Sequence, residues 1–142
     1  MPALLHSLTD IARCAAQYRT DKLAPLGLKG CHASYLLQIA AAPGISQDQL
    51  AGRIFINKSN VARQLAILEE EGFVLRRASE EDKRVTCLYP SEKTLAVLPE
   101  IRAALGTWEA LVTVDLSVQE RDLLIALLHR VKLRAEALPE VE

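Results

Sequence analysis

The polar and apolar positions between residues 46 and 90 predict two helices, each with a recognisable capping residue. Ser46 and Gln49 have the spacing of a capping box, in which each side chain bonds the backbone N–H of the other residue at a helix start. The second helix is expected to begin at Asn57, a strong N-cap residue, and to end at Gly72, where a helix commonly needs a left-handed residue. This segment should therefore fold as helix, turn, helix.

The second helix is predicted to have one buried face and one exposed face. Val61, Leu65 and Leu68 are spaced at i, i+4 and i+7, and this apolar stripe should pack inward. The opposite face carries small residues beside Arg63, whose guanidinium can bind guanine or phosphate, and beside Ser59, which can donate or accept a hydrogen bond. Taken alone, the same pattern also fits an ordinary surface helix.

A charged β-hairpin is expected to follow the second helix. Its strands should cover residues 73–78 and 84–89, with a turn over residues 79–83. Asp82 can hold the guanidinium of Arg84 in a fixed pose by a charge-assisted pair, which would suit a DNA minor groove or its phosphates. The alternative is a solvated turn of mixed charge. Helix, turn, helix and hairpin in this order make a winged helix-turn-helix, a module mostly used to bind duplex DNA.

Four segments of this module match a known family pattern: residues 44–51, 57–63, 68–74 and the wing triplet Asp82-Lys83-Arg84, which has the spacing Asp-x-Arg. On these segments the chain resembles the multiple-antibiotic-resistance regulator (MarR) family. The resemblance implies an obligate homodimeric repressor or activator of bacterial origin, often released from DNA by a small aromatic ligand or by oxidation. We therefore expect a transcriptional regulator, and in particular a repressor that a small aromatic ligand releases.

The helix-turn-helix order and the resemblance together predict which side chains contact double-stranded DNA. Direct recognition of bases is expected from the first turns of the second helix, while the wing grips the backbone or the groove. A homodimer would bind a palindromic operator with two such modules. The predicted DNA-binding residues are Ser46, Gln47, Lys58, Ser59, Asn60, Arg63, Gln64, Arg77, Lys83 and Arg84. The residue predicted to orient the wing arginine is Asp82.

Net charge does not by itself indicate nucleic-acid binding. The chain of 142 residues has a formal net charge of −1, and basic and acidic side chains are nearly balanced across residues 53–90. The positions of the charges must then matter more than their sum. A winged helix that binds another protein and not DNA is the alternative that this charge favours.

The remaining composition predicts a cytoplasmic protein without a cofactor, a metal or an enzymatic activity. Charges interrupt every apolar run, so no membrane span is expected, and the N-terminus lacks the residue order of a signal peptide. The three cysteines do not have zinc-site spacing, and no nucleophile–base pair or phosphate-binding glycine loop is recognisable. Redox sensing by Cys14 or Cys31 is the alternative to sensing a ligand.

Helical patterns on both sides of the central module predict helices for dimerisation, so that the fold is mainly α with a small β-hairpin wing. A last helix is expected to open at a second capping box, Ser117 to Glu120. The flanking apolar surface exceeds what a small winged module can cover and should pair across a two-fold axis; a larger monomeric helical domain is the alternative. We predict one domain of residues 1–142, with dimerisation helices in 1–28 and 91–142 and the winged helix in 29–90.

A crevice between the outer helices and the DNA-binding module is predicted to take a flat organic ligand. Aromatic walls with one or two polar groups suit such a ligand, and His32 and Tyr35 share a helix face at i, i+3. The alternative is that the aromatic residues belong to the core, with His32 hydrogen-bonded nearby. The predicted pocket residues are Cys14, Tyr18, Cys31, His32, Tyr35 and Trp108.

Overall fold

Helices and one β-hairpin make up the chain, which we describe from a computed structural model covering residues 2–54 and 56–139. The elements are α1 Ala3–Leu23, a 3-10 turn Ala24–Leu26, α2 His32–Ala41, α3 Gln47–Ile54, α4 Lys58–Glu70, β1 Val74–Ala78, β2 Thr86–Pro90, α5 Glu92–Val112 and α6 Val118–Glu136. The predicted fold, mainly α with a small β-hairpin wing, is confirmed. Within the described ranges, none of the helices combines the length and apolar character needed to cross a membrane.

The elements form two compact units, and the boundary between them falls inside α5. The first unit extends to Gly106, and its core lies between α2, α3, α4, the hairpin and the start of α5. The three residues of the predicted stripe on α4, Val61, Leu65 and Leu68, are fully buried in this core. Burying one such side chain stabilises the fold by about 1.5–3 kcal/mol, so the stripe fixes which face of α4 is turned outward.

Both predicted N-caps of the helix-turn-helix are confirmed. At the start of α3 the Ser46 backbone N–H donates to Oε1 of Gln49 at 3.0 Å, and the Gln49 N–H donates to Oγ of Ser46 at 3.1 Å. At the start of α4 the Asn57 side chain accepts from the backbone N–H of Asn60 at 2.8 Å. Each cap satisfies donors that the first helical turn would otherwise leave unpaired.

Gly72 ends α4 in a Schellman motif. Helix α4 stops at Glu70, and Gly72 has a left-handed backbone with φ of 83°. The Gly72 N–H donates to the Glu69 carbonyl at 3.0 Å, and the Phe73 N–H donates to the Leu68 carbonyl at 2.8 Å. Because its N–H closes the helix, Phe73 lies outside the strand in which the sequence pattern had included it.

The second strand of the hairpin begins later than the predicted range 84–89. Arg84 and Val85 belong to the turn, since Oδ1 of Asp82 accepts from the Arg84 N–H at 3.0 Å and the Asp82 carbonyl accepts from the Val85 N–H at 2.9 Å. The strands pair antiparallel, with Arg76 opposite Leu88. The wing turn is therefore longer than predicted and is built around the Asp82 carboxylate.

The hairpin is attached to the helix-turn-helix through the segment that precedes α3. The Gly44 N–H donates to the Leu88 carbonyl at 2.7 Å, and the Leu88 N–H donates to the Ile45 carbonyl at 2.9 Å. An isolated bridge also joins Ser46 and Cys87. Strand β2 therefore fixes the position of the wing relative to the start of α3.

The second unit begins at Thr107 and contains the end of α5 and all of α6. The predicted capping box is present, since the N–H groups of Ser117 and Glu120 bond each other's side chains at 2.9 and 3.1 Å, and the bond from the Ser117 backbone lowers the pKa of the Glu120 carboxyl. Arg121 pairs with Glu109 at 3.1 Å. In the part of the chain that the structure describes, no residue of α6 is buried. Its exposed apolar residues include Leu123, Leu124, Leu127, Leu128 and Val131.

Candidate nucleic-acid interface

The first turn of α4 presents polar side chains that its own cap holds in place. The carboxamide oxygen of Asn57 accepts from the Asn60 backbone and also from the Ser59 hydroxyl at 2.9 Å. The hydroxyl proton of Ser59 is therefore used inside the turn, which leaves its lone pairs for an outside donor. Lys58 pairs with Asp48 of α3 at 3.5 Å, but both side chains are 74% exposed, so the pair contributes little and can exchange for a phosphate.

The outward face of α4 carries a free arginine among small residues. Arg63 is exposed, and among the described residues no carboxylate lies within 4.0 Å of its guanidinium. Ala62 and Ala66 beside it leave room for a close approach of the helix backbone. The division into a buried stripe and an exposed basic face agrees with the sequence pattern.

The other predicted contacts on α3 and α4 have internal partners or partial burial. Ser46 is half-buried and its hydroxyl serves the α3 cap, while Gln47 is half-buried at the first position of that helix. Gln64 is also half-buried, and its Oε1 lies 2.9 Å from Nε2 of His32. The contacts of these three residues with DNA stay predictions.

Asp82 holds Arg84 in one pose at the wing. Its carboxylate accepts from Nε and Nη2 of Arg84, each at 3.1 Å, and from the Arg84 backbone N–H at 3.0 Å. These bonds lower the pKa of the Asp82 carboxyl and raise the pKa of the Arg84 guanidinium. The Arg84 side chain is 90% exposed. Arg84 is thus a solvent-facing cation whose orientation is set before any ligand arrives, and exposed Lys83 stands next to it.

The two arginines of β1 have different environments. Arg76 pairs with Glu69 at the end of α4 at 3.1 Å, and this hydrogen bond is the main cause of the lowered pKa of the Glu69 carboxyl. The pair braces the wing against α4, and no local sequence pattern predicts this contact. Arg77 is exposed, with its guanidinium 5.8 Å from the ring centre of Tyr89. It therefore stays available for a phosphate.

Two adjoining clefts lie between α1 and the start of α2. The larger has a volume of about 500 Å³ and is lined by α1 and residues 28–31, and the smaller has a volume of about 310 Å³ and includes Ile56 and Leu105. Arg19 and Cys31 line both clefts. Arg19 is not among the predicted pocket residues, because a single basic residue on an amphipathic helix carries no signal.

The predicted pocket residues are spread over several environments. Among the six, all within the described ranges, Cys31 alone lines either of these two clefts. Cys14 is exposed, Tyr18 is half-buried with the ammonium of Lys22 5.5 Å from its ring centre, and Trp108 is half-buried in the second unit. The remaining two, His32 and Tyr35, are buried side by side.

His32 and Tyr35 form a polar pair inside the first unit. Their rings meet edge to face with centroids 6.3 Å apart, and the residues are 2% and 0% exposed. Burial lowers the pKa of the His32 imidazole; the bond to Gln64 opposes this and the charge of Lys29 adds to it. Burial also raises the pKa of the Tyr35 phenol, whose hydroxyl has no hydrogen-bond partner in the described part of the chain.

Known proteins share this arrangement over nearly the whole chain. Residues 32–86 match the sequence model of the MarR family. The chain is 29% identical to the uncharacterized HTH-type transcriptional regulator YybA of Bacillus subtilis, over 96% of this chain and 91% of that protein. The crystal structure of MarR is 30% identical, with a TM-score of 0.87 and coverage of 95% of this chain and 91% of that one. The transcriptional repressor CouR, bound to a 23-mer DNA duplex, is 27% identical with a TM-score of 0.82 and coverage of 91% and 92%.

The fold and the exposed basic face of α4 define a winged helix-turn-helix regulator. With the sequence match and the structural similarity taken together, the chain belongs to the MarR family. It is accordingly a transcriptional regulator and not an enzyme.

Proposed function

We propose that the chain is a homodimeric repressor that binds a palindromic DNA operator and is released by a small aromatic acid. The observation that carries this proposal is the presence of two differently placed arginines. Arg63 lies exposed on the outward face of α4, and Arg84 is held in a fixed pose in the wing by Asp82. A helix face for bases and a fixed cation for a groove are the two contacts that a winged helix makes with a duplex. The similar transcriptional repressor CouR is bound to a 23-mer DNA duplex in its solved structure.

The contacts divide into base recognition and backbone contact. Arg63 is assigned to a guanine edge, because its fork-shaped guanidinium suits two acceptors in the major groove. Lys58, Ser59 and Asn60 of the first turn, with Arg77 and Lys83 of the wing, are assigned mainly to phosphates, which fix the register. Arg84 is assigned to the minor groove, where a cation gains from the narrow groove's negative potential.

A second copy of the chain is proposed to cover the apolar residues that this chain leaves exposed. Leu123, Leu127 and Leu128 of α6 are between 38% and 58% exposed, and Leu4 and Leu5 of α1 are more than half exposed. Exposed apolar side chains in this number are uncommon on a monomer and usually mark an interface. A two-fold dimer would also double the DNA contacts and match them to two half-sites.

The effector is proposed to bind the clefts beside α2. Their size suits a single-ring compound, and their walls include Ala16, Leu28 and Leu37. Arg19 is a cation that lines both clefts, so a carboxylate on the ring would have a partner at the mouth. Cys31 lines the same clefts and is exposed. Oxidation at Cys31, or at exposed Cys14, is the alternative trigger.

Operator binding and dimerisation are tested on the intact chain. The measurements are a mobility shift on the DNA upstream of its own gene, with a scrambled duplex of equal length as control, and sedimentation at low micromolar concentration. We expect a specific shift that weakens steeply with salt, because phosphate contacts release counterions, and only dimer in the centrifuge. A folded monomer that shifts neither duplex would favour a protein-interaction module.

The effector is tested with benzoate and its neutral analogue benzamide. Benzoate should bind the free protein and weaken operator binding, whereas benzamide, which lacks the carboxylate, should do so far less. A tenfold loss of operator affinity corresponds to about 1.4 kcal/mol of coupling. Arg19→Gln should remove the preference for the acid. If neither compound acts, and peroxide releases DNA unless Cys31 or Cys14 is replaced by Ser, the trigger is oxidation.

A further inference from the structure

His32, the first residue of α2, joins two separate parts of the first unit through its ring. Its Nδ1 accepts from the backbone N–H of Lys29 at 3.2 Å, and its Nε2 lies 2.9 Å from Oε1 of Gln64 on α4. The residue is 2% exposed, so water competes little for these bonds. The ring therefore connects the segment that enters α2 with the helix whose outward face is assigned to DNA.

The two partners define which ring nitrogen carries the proton. A backbone N–H can only donate, so Nδ1 is unprotonated and the proton is on Nε2. The Nε2–H group then donates to Oε1 of Gln64, which turns the Gln64 amide toward α2. Gln64 thereby anchors one flank of α4, while the neighbouring Arg63 is exposed.

The segment that donates to His32 is also a wall of the larger cleft. Lys29, Gly30 and Cys31 all line it. At Gly30 the chain lies so close to α1 that an added Cβ would meet the backbone nitrogen of Thr20 at 2.9 Å. Because the segment is packed directly on α1 at Gly30, a ligand that widens the cleft there would move the Lys29 N–H away from the His32 ring.

We propose that His32 is a positioning residue that couples the cleft to α4 through the chain Lys29–His32–Gln64. With the cleft empty, the ring holds Gln64 and keeps α4 in the pose that binds the operator. With the cleft occupied, the ring loses the Lys29 donor, and the anchor on α4 loosens. This inference rests on the proposed function, because it requires that α4 binds DNA and that the cleft takes the effector.

Protonation of His32 should act in the same direction as the ligand. An imidazolium has a proton on both nitrogens, so Nδ1 can no longer accept from Lys29. The titratable groups that face the ring are the Lys29 ammonium, from the entering segment, and Tyr35, from α2; α4 presents the neutral amide of Gln64. Neither titratable group favours the imidazolium. The affinity for the operator should therefore decrease as the pH drops below about 6.5, the ordinary pKa of histidine.

The first test measures operator affinity between about pH 7.5 and about pH 5.5 at constant ionic strength. The wild type should lose about tenfold across this range, and His32→Gln, which does not titrate, should give a flat profile. His6→Gln and His129→Gln remove the other two histidines, both exposed, and should keep the loss. A His32→Gln profile as steep as that of the wild type would overturn the proposal.

The second test separates effector binding from its consequence, with benzoate as the probe. Gln64→Met keeps the side-chain length but has no oxygen for the His32 proton. Calorimetry should show unchanged benzoate affinity for the free protein, and benzoate should no longer weaken operator binding. Gln38→Met, a matched change on α2, should keep the release. Full release of Gln64→Met by benzoate would refute the role of His32.

Failure of the proposed function gives a different pattern. In that case the wild type fails to bind the operator even at about pH 7.5, and the coupling is measured without DNA. Hydrogen exchange of the α4 backbone amides, corrected for its intrinsic pH dependence, should become faster when His32 is protonated, and His32→Gln should abolish the change. Equal exchange in α4 at both pH values would overturn the proposal on its own.

Discussion

Replacing Arg63 tests whether α4 recognises bases in the way its exposed face indicates. The side chain is exposed and has no carboxylate partner among the described residues, so Arg63→Ala removes no ion pair among them. The free energy of unfolding should stay within about 0.5 kcal/mol of the wild type. Any loss of DNA binding then belongs to the interface and not to the stability of the protein.

The size of the loss follows from the number of guanidinium groups on the operator. One bidentate contact to guanine is worth about 1–3 kcal/mol of discrimination. A dimer places two copies of Arg63 on a palindrome, so the two losses add to about 2–6 kcal/mol, or roughly thirty-fold to twenty-thousand-fold in Kd. Random DNA offers no matched guanine, so on random DNA Arg63→Ala should lose only the affinity of one phosphate contact per subunit.

The assay is fluorescence anisotropy with operator and scrambled duplexes, each carrying the same label. Arg63→Lys keeps the charge and loses the fork, so it should behave like Arg63→Ala on the operator and like the wild type on scrambled DNA. Arg102→Ala removes an exposed arginine of α5 and should change neither affinity. If Arg63→Lys binds the operator as tightly as the wild type, the guanidinium contacts phosphate, and the assignment to a base is wrong.

Three further changes test the wing, the core and the dimer. Arg84→Ala should weaken binding to operator and scrambled DNA by the same factor and reduce the slope of affinity against salt, which a salt titration of both duplexes checks. Leu65→Ala should lower the free energy of unfolding by about 2–5 kcal/mol, measured by urea denaturation at fixed protein concentration, because Leu65 is fully buried in the core. Leu128→Glu, at a partly exposed apolar position of α6, should shift the sedimentation equilibrium toward monomer and abolish operator binding in parallel; an intact dimer would show that α6 pairs elsewhere.

The fold should also lose stability as the solution becomes acidic, because burial lowers the pKa of His32. Between the lowered pKa of the folded protein and about pH 6.5, the unfolded chain binds more protons at this residue than the folded chain does. This contribution is therefore complete above about pH 6.5 and declines as the pH falls toward the folded-state pKa. Urea denaturation of the wild type and of His32→Gln at several pH values checks this pH dependence. The difference between their free energies of unfolding should become smaller in acid.

The sequence by itself determined the local structure of the DNA-binding module. The caps at Ser46 and Asn57 and the glycine at Gly72 each act on a backbone within a few residues, so spacing alone was enough to predict them. The α4 stripe followed from helical periodicity, and the Asp82–Arg84 pair followed from two residues in one turn. The ends of the strands were predicted less accurately, because the Val85 N–H donates to the Asp82 carbonyl and this bond makes Val85 part of the turn.

Only the tertiary structure decided which distant side chains meet. The bond between His32 and Gln64 spans 32 residues, and the pair of Arg76 with Glu69 joins a strand to the end of a helix. Neither pairing has a sequence signal, because it depends on how two finished elements pack and not on the residues between them. The same reason applies to Arg19, which became a cleft residue once α2 packed beside α1. The caps and turns of this protein thus depend on neighbouring residues in the sequence, whereas its long-range side-chain contacts depend on how the helices and the hairpin pack.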